Sequence, residues 1–413
     1  MTALSAAPLP PIARAILPGE TVRPRQRSYC SSRPASDGRA PVRTAVGANP
    51  IFRGSVRLVR RAAMAACCLA PAPAFAHAKW FVPYDVAEPP MPIRGVLSEH
   101  FLLAFAGFAL LIGVTFLLDR IAARSPRGTV LARRGCEAME EQLMRAGTGA
   151  FFMALFTAGG VILTPELKTG AEWPAWLQLG IAASMLSRRS CVLGAAGIVG
   201  LYGYGEALYG AFHIADYPIF LGLAAYLALT SCRSERLRAL RMPILQAALC
   251  GSLMWGAVEK WAYPQWSFPL LDERPWLTFG LLQSDFMVVA GFVEFAFAFH
   301  MLTGFGLARL GILGLGAIFC LAILDFGKLD AIGHLPILAT MAAMFVHGPT
   351  RLQRRLHRIR RGMFAEARRA GLAFASAICV FVSAYYGLQR AEYGHGHAPA
   401  MLASVSPPPN GPR

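Results

Sequence analysis

Glu294 stands near the middle of an apolar run, residues 284–304, about ten residues from either end. A charge at that depth costs about 3 kcal/mol on insertion scales, so acids there face protein and mark proton relays or ligand sites. At helical spacing Gly291, Glu294 and Ala298 share a small-residue face, with Phe292, Phe295 and Phe299 opposite. Small faces let helices approach closely, so Glu294 is expected to point into a bundle. There it is a candidate proton carrier, or a hydrogen-bond partner for a quinone-like ligand. The plainer alternative is a structural Glu bonded to a neighbouring helix.

Two further groups share the outer end of that region. Glu259 and Lys260 close the run 243–262, where Ser252, Gly256 and Glu259 share one face and turn Glu259 inward. Lys260 is expected to snorkel to the interface, beside an aromatic belt of Trp261, Tyr263 and Trp266. The stretch DFGKLDAIGHLPIL, Asp325 to Leu338, has Asp325 ending one run and His334 beginning the next. Lys328 and Asp330 fall in the connection, which two glycines and Pro336 keep tight. Glu259, Lys260, Glu294, Asp325, Lys328, Asp330 and His334 therefore form one candidate proton or ligand site. The alternative for the connection is a solvated loop with exposed ion pairs worth little. His77, if exposed as a new N-terminus by processing, is a candidate copper ligand through its amine and imidazole. No Walker, Rossmann, zinc-site or nucleophile-elbow pattern stands in a credible context.

Helices in a bilayer must position these groups. The chain is 55% hydrophobic and 15% charged over 413 residues, too apolar for an ordinary soluble domain. Apolar runs lie near 101–118, 148–164, 173–187, 191–212, 214–230, 243–262, 284–304, 306–324, 334–347 and 370–387. Alternate loops hold 21 arginines, against eight basic residues on the other side after residue 76, as the positive-inside rule requires. That bias accounts for the basic excess, so nucleic acid is not an expected partner and the lipid bilayer is. Only four lysines accompany 36 arginines, namely Lys79, Lys168, Lys260 and Lys328. All four fall on the outer side, where a compact, rotatable ammonium serves differently from a planar guanidinium.

Residues 1–54 read as a disordered or spurious extension, and 55–76 as a bacterial signal peptide with Arg57, Arg60 and Arg61 before a short apolar core and an Ala-Phe-Ala cleavage site. Residues 77–147 then give an outer segment, a first span and a cytoplasmic loop. Two four-helix bundles follow, 148–242 and 243–349, and 350–413 supplies a basic loop, a last span and an outer tail. The expected fold is an all-α integral membrane protein of about ten transmembrane helices, in the bacterial inner membrane with both mature termini periplasmic. None of the nine cysteines forms an outer-loop pair, so no disulfide framework is expected.

The halves carry matched polar features in the same order. Glu166 with Lys168 answers Glu259 with Lys260, and His213 to Pro218-Ile219 answers His334 to Pro336-Ile337. Four spans per copy make this a parallel repeat about an axis along the membrane normal. The second half resembles the DoxX-like family of four-helix membrane proteins through Gly256-x-x-x-Lys260 in WGAVEKW and Gly291-x-x-Glu294 with Gly304 beyond it. The resemblance covers roughly residues 243–347, and 148–230 faintly; the first half has Gln178 in its second helix and no acid. It implies the membrane subunit of a quinone- or thiol-linked redox system, served by a partner protein that carries the redox centre. A proton-coupled transporter or channel, and a non-catalytic assembly factor, are the other readings.

Overall fold

The computed structural model describes residues 78–123, 137–358 and 362–394. The expected signal peptide, His77 and the four earliest cysteines, Cys30, Cys67, Cys68 and Cys136, lie outside the described residues. Those residues form helices and contain no strand, apart from one isolated bridge between Val161 and Lys168.

Each apolar run coincides with a helix. In chain order these are α1 (Glu99–Ala123), α2 (Glu137–Ala158), α3 (Trp173–Ser184), α4 (Cys191–Tyr209), α5 (Pro218–Ser231), α6 (Arg241–Ala262), α7 (Gln283–Thr303), α8 (Ala308–Phe326), α9 (Lys328–His347) and α10 (Met363–Tyr393). Six of them, α1, α4, α7, α8, α9 and α10, are long and apolar enough to cross a membrane, the make-up of a multi-pass membrane protein. The other four miss that mark for visible reasons. With 12 and 14 residues, α3 and α5 rise only about 18 to 21 Å at 1.5 Å per residue, and α2 and α6 bring charges into the helix.

Two boundaries differ from the sequence expectation in ways that matter. Helix α2 begins eleven residues before the apolar run at 148, taking in Glu140 and Arg145, and stops at Ala158. Gly159 and Gly160 follow with φ of 66° and 63°, a left-handed pair that only glycine adopts cheaply. Helix α9 starts at Lys328, not at His334. Gly327, at φ 78°, is the whole connection from α8, and Pro336 lies inside the helix. Proline is tolerated there because neighbouring groups satisfy the freed backbone; Thr340 Oγ1, for example, donates to the Pro336 carbonyl at 2.8 Å.

Each helix from α2 to α8 packs on its successor, and α9 returns to pack on α2; α6 also meets α9 across this circuit. The second group of four thus closes on itself through α6 and α9, while the first closes through its neighbour. Helices α1 and α10 pack on each other at the periphery, each with only 17% of its apolar window buried. Ahead of α1, a strap runs from a 3-10 turn, Ala78–Trp80, to a short helix, Ile93–Val96. Its backbone is tied at two points: Met91 N–H donates to the Ala262 carbonyl at 2.8 Å, and the Tyr263 hydroxyl donates to the Glu88 carbonyl at 2.8 Å.

Candidate functional site

The four lysines divide into two classes. Lys168 and Lys328 are exposed, whereas Lys79 and Lys260 are each only 5% exposed. Burying an ammonium is costly unless it is paired and hydrogen-bonded, and both buried lysines are paired.

Lys79 comes from the strap. Its Nζ lies 2.5 Å from Asp216 Oδ2 and 2.5 Å from Glu259 Oε2, joining the turn before α5 to the end of α6. The ammonium also stands over the rings of Tyr84 and Trp266, 5.4 and 5.2 Å from their centroids, within cation–π range. A third carboxylate lies alongside. Glu166 Oε1 is 2.9 Å from His213 Nε2 and accepts the Tyr217 hydroxyl, while His213 Nε2 is also 2.9 Å from the Tyr84 hydroxyl.

The electrostatics outside the spans follow from this crowding. Burial works against the Lys79 ammonium, but Asp216, Glu259 and Glu166 together outweigh it and hold its pKa well above the ordinary lysine value. Asp216, in the turn ahead of α5, is raised to about 7: burial raises it, Lys79 draws it back, and Glu259 and Glu166 push it up again. Glu166 goes the other way. Burial raises it, but the hydrogen bond and charge of His213, then Lys79 and the Tyr217 hydroxyl, bring it below the ordinary carboxylate value.

A second cluster adjoins the first. Lys260 Nζ lies 2.6 Å from Glu294 Oε2 and donates to the Gly256 carbonyl at 3.4 Å. Asp330 Oδ2 lies 2.9 Å from His334 Nδ1, an i,i+4 pair on α9, and the His334 ring stacks on Phe319 with centroids 4.7 Å apart. Glu294 is 1% exposed, Asp330 3% and His334 0%.

Two dipeptides join these clusters. Successive helical residues diverge by about 100°, so Glu259 reaches Lys79 while Lys260 turns to Glu294. On the strap, Lys79 enters the first cluster while the Trp80 ring meets His334 edge-on, centroids 5.1 Å apart. Gly333 makes room for that indole; a Cβ there would collide with it.

The sequence expectations resolve unevenly against this geometry. Glu259, Lys260, Glu294, Asp330 and His334 come together, and Glu259 and Glu294 point inward. Lys260 does not snorkel outward; it turns down along α6 to Glu294, because a carboxylate in the bundle outcompetes the interface. Trp261, Tyr263 and Trp266 are buried rather than belted at the lipid boundary. Asp325 and Lys328 stand apart from the cluster: Asp325 pairs with Arg274 at 3.1 Å on the exposed rim, and Lys328 faces outward. The one-residue turn at Gly327 sets this phase, sending Asp330 and His334 inward and their polar neighbours out. Sequence reasoning missed Lys79 and Asp216 as site members. The expected placement of all four lysines on the outer side was the signal pointing to Lys79.

A separate cluster occupies the opposite ends of α6 and α9. Glu140 of α2 takes Arg241 at 3.1 Å, the Tyr226 hydroxyl at 2.9 Å and His347 Nδ1 at 2.6 Å, tying four helices together. Among the described residues no three His, Cys, Asp or Glu side chains are grouped as a metal ion requires. Comparison with protein-family models, with curated proteins and with solved structures gives no match for this chain.

Proposed function

We propose that the chain is a ten-span protein of the bacterial inner membrane, processed ahead of His77, in which an outer-facing acid–base site exchanges protons in coupled transport of a solute. In this reading α2–α5 and α6–α9 are the two copies of a parallel repeat, and the arginine-rich loops lie inside. One observation carries the proposal. Asp216, Lys79 and Glu259 make a buried row that continues, through the next residue of α6, into Lys260 and Glu294, with Asp330 and His334 beside it. Buried ion pairs seldom add net stability over apolar residues of the same volume. Their concentration at the meeting point of the strap and both halves favours a proton-handling role.

Proteoliposomes with a trapped pH-sensitive dye test this when challenged with solutes of each charge class. Solute-evoked proton movement in wild type and in Lys328→Ala, but not in Asp216→Asn, is the expected result. If no solute and no imposed potential moves protons in the wild type, the transport reading fails.

A redox reading has its own support. Gly256, Lys260 and Glu294, which carry the DoxX-like resemblance, meet in space through the Lys260 ammonium. It requires a quinone in the lipid extract of the purified protein, lost in Glu294→Gln, and a partner protein that supplies the redox centre.

A further inference from the structure

The ammonium at the centre of the first cluster does not belong to the helices that surround it. Asp216 is supplied by the turn before α5, Glu259 by the end of α6, Trp266 by the turn after α6 and Glu166 by the segment after α2; only the strap brings the ammonium. Carboxylates beside the faces of Trp and Tyr rings are the chemistry that recognises an ammonium group, by charge, by hydrogen bonds and by the ring quadrupole. The surroundings also exceed what one lysine uses. Three carboxylates face one ammonium. Glu166, its side chain 2% accessible, keeps Oε2 buried with no hydrogen-bond partner, and so does the indole Nε1 of Trp266, a residue 6% exposed. Glu259 is the most open of the three acids, its side chain 14% accessible. The strap is pinned through its backbone at Glu88 and Met91, downstream of the cage, whereas Lys79 and Tyr84 attach through side chains.

We propose that this cage is a recognition site for a primary ammonium ligand, kept filled by Lys79 of the strap, so that a small alkylammonium competes with Lys79 for Asp216 and Glu259. The inference rests on the transport reading only in taking the cage to open to the outer side, and its test requires no proton flux.

The full chain in detergent, carrying Lys79→Ala, is unfolded thermally with and without ethylammonium. The expected result is a saturable rise in the unfolding temperature, half-maximal at about 1 mM or above, the ceiling for a ligand of three non-hydrogen atoms. Sodium at the same ionic strength gives no such rise, and Lys79→Ala with Asp216→Asn weakens the response at least tenfold. Where Lys79→Ala does not yield folded protein, the wild type serves: ethylammonium should accelerate tryptic cleavage after Lys79 saturably, by freeing the strap. Ethylammonium acting no better than sodium in the assay performed overturns the cage. Ammonium binding without proton movement sinks only the transport reading, and proton movement without an ammonium response sinks only the cage.

Discussion

Replacing Glu294 by Gln removes one charge and almost no volume, and it leaves Lys260 as a buried ammonium without a carboxylate. The Lys260 side chain is 6% accessible and that of Glu294 1%, so water can replace little of the lost interaction. Breaking one partner of a buried pair costs about 3–5 kcal/mol, much of it the penalty of the stranded charge. Gln keeps an acceptor for the ammonium, which places the cost near the lower end, about 3 kcal/mol. At about 2.1 cal/mol/K of unfolding entropy per residue, a chain of this size shifts by roughly 1–2 °C per kcal/mol, so the apparent unfolding temperature should fall by about 4 °C. Lys260→Met with Glu294→Gln removes both charges and should recover most of that fall. The assay is a double-mutant cycle by tryptophan fluorescence in detergent, and a coupling energy above about 2 kcal/mol is expected. A Glu294→Gln cost below about 1 kcal/mol, the range of exposed pairs, would refute the reasoning, since the pair would then be hydrated rather than embedded.

Two other outcomes follow from the same geometry. Asp216 has a folded pKa of about 7 against 3.8 ordinarily, so its contribution to stability is complete below pH 4 and lost as pH rises through 7. Glu166, lowered, contributes above the carboxylate range and loses that contribution on acidification. Asp216→Asn should therefore flatten the decline in unfolding temperature between pH 5 and pH 8; an unchanged slope would assign that decline to other groups. Asp325→Ala and Lys328→Ala should each change stability by less than about 1 kcal/mol, because both side chains stand on the exposed rim. A larger loss from Lys328→Ala would place its ammonium in a burial that the fold does not give it.

How far the sequence could be read depended on how local each determinant was. The inward orientation of Glu294 was legible because it is a property of one helix face: Gly291 gives Trp261 its place against α7, and the carboxylate one turn on shares that side. The pairing of Asp330 with His334 was half legible. Their i,i+4 spacing is plain, but two glycines and Pro336 read as a loop, since turn chemistry in an aqueous domain would end a helix there. Packed among other helices, Pro336 continues α9, and the charges that looked like a solvated knot separate into two that are buried and two that are not. Lys79 with Asp216 was not legible at all. The two residues are 137 positions apart, and no local periodicity records that the strap folds back into the bundle.

The charge balance of the two clusters differs, and the difference bears on both proposals. The second cluster pairs Lys260 with Glu294 and His334 with Asp330, one acid to each base. The first sets Asp216, Glu259 and Glu166 against Lys79 and His213, so even a fully cationic His213 leaves one acid in excess. Among apolar side chains such an imbalance is expensive. One carboxyl can take a proton, which the position of Asp216 near neutrality permits, and the surplus also strengthens the hold of the cage on any ammonium that takes the place of Lys79. Proton exchange and ammonium recognition are thus two responses to one surplus charge, and both belong to the first cluster. A variant that lowers the surplus without disturbing Lys79, such as Glu166→Gln, should accordingly weaken proton uptake and the ammonium response together.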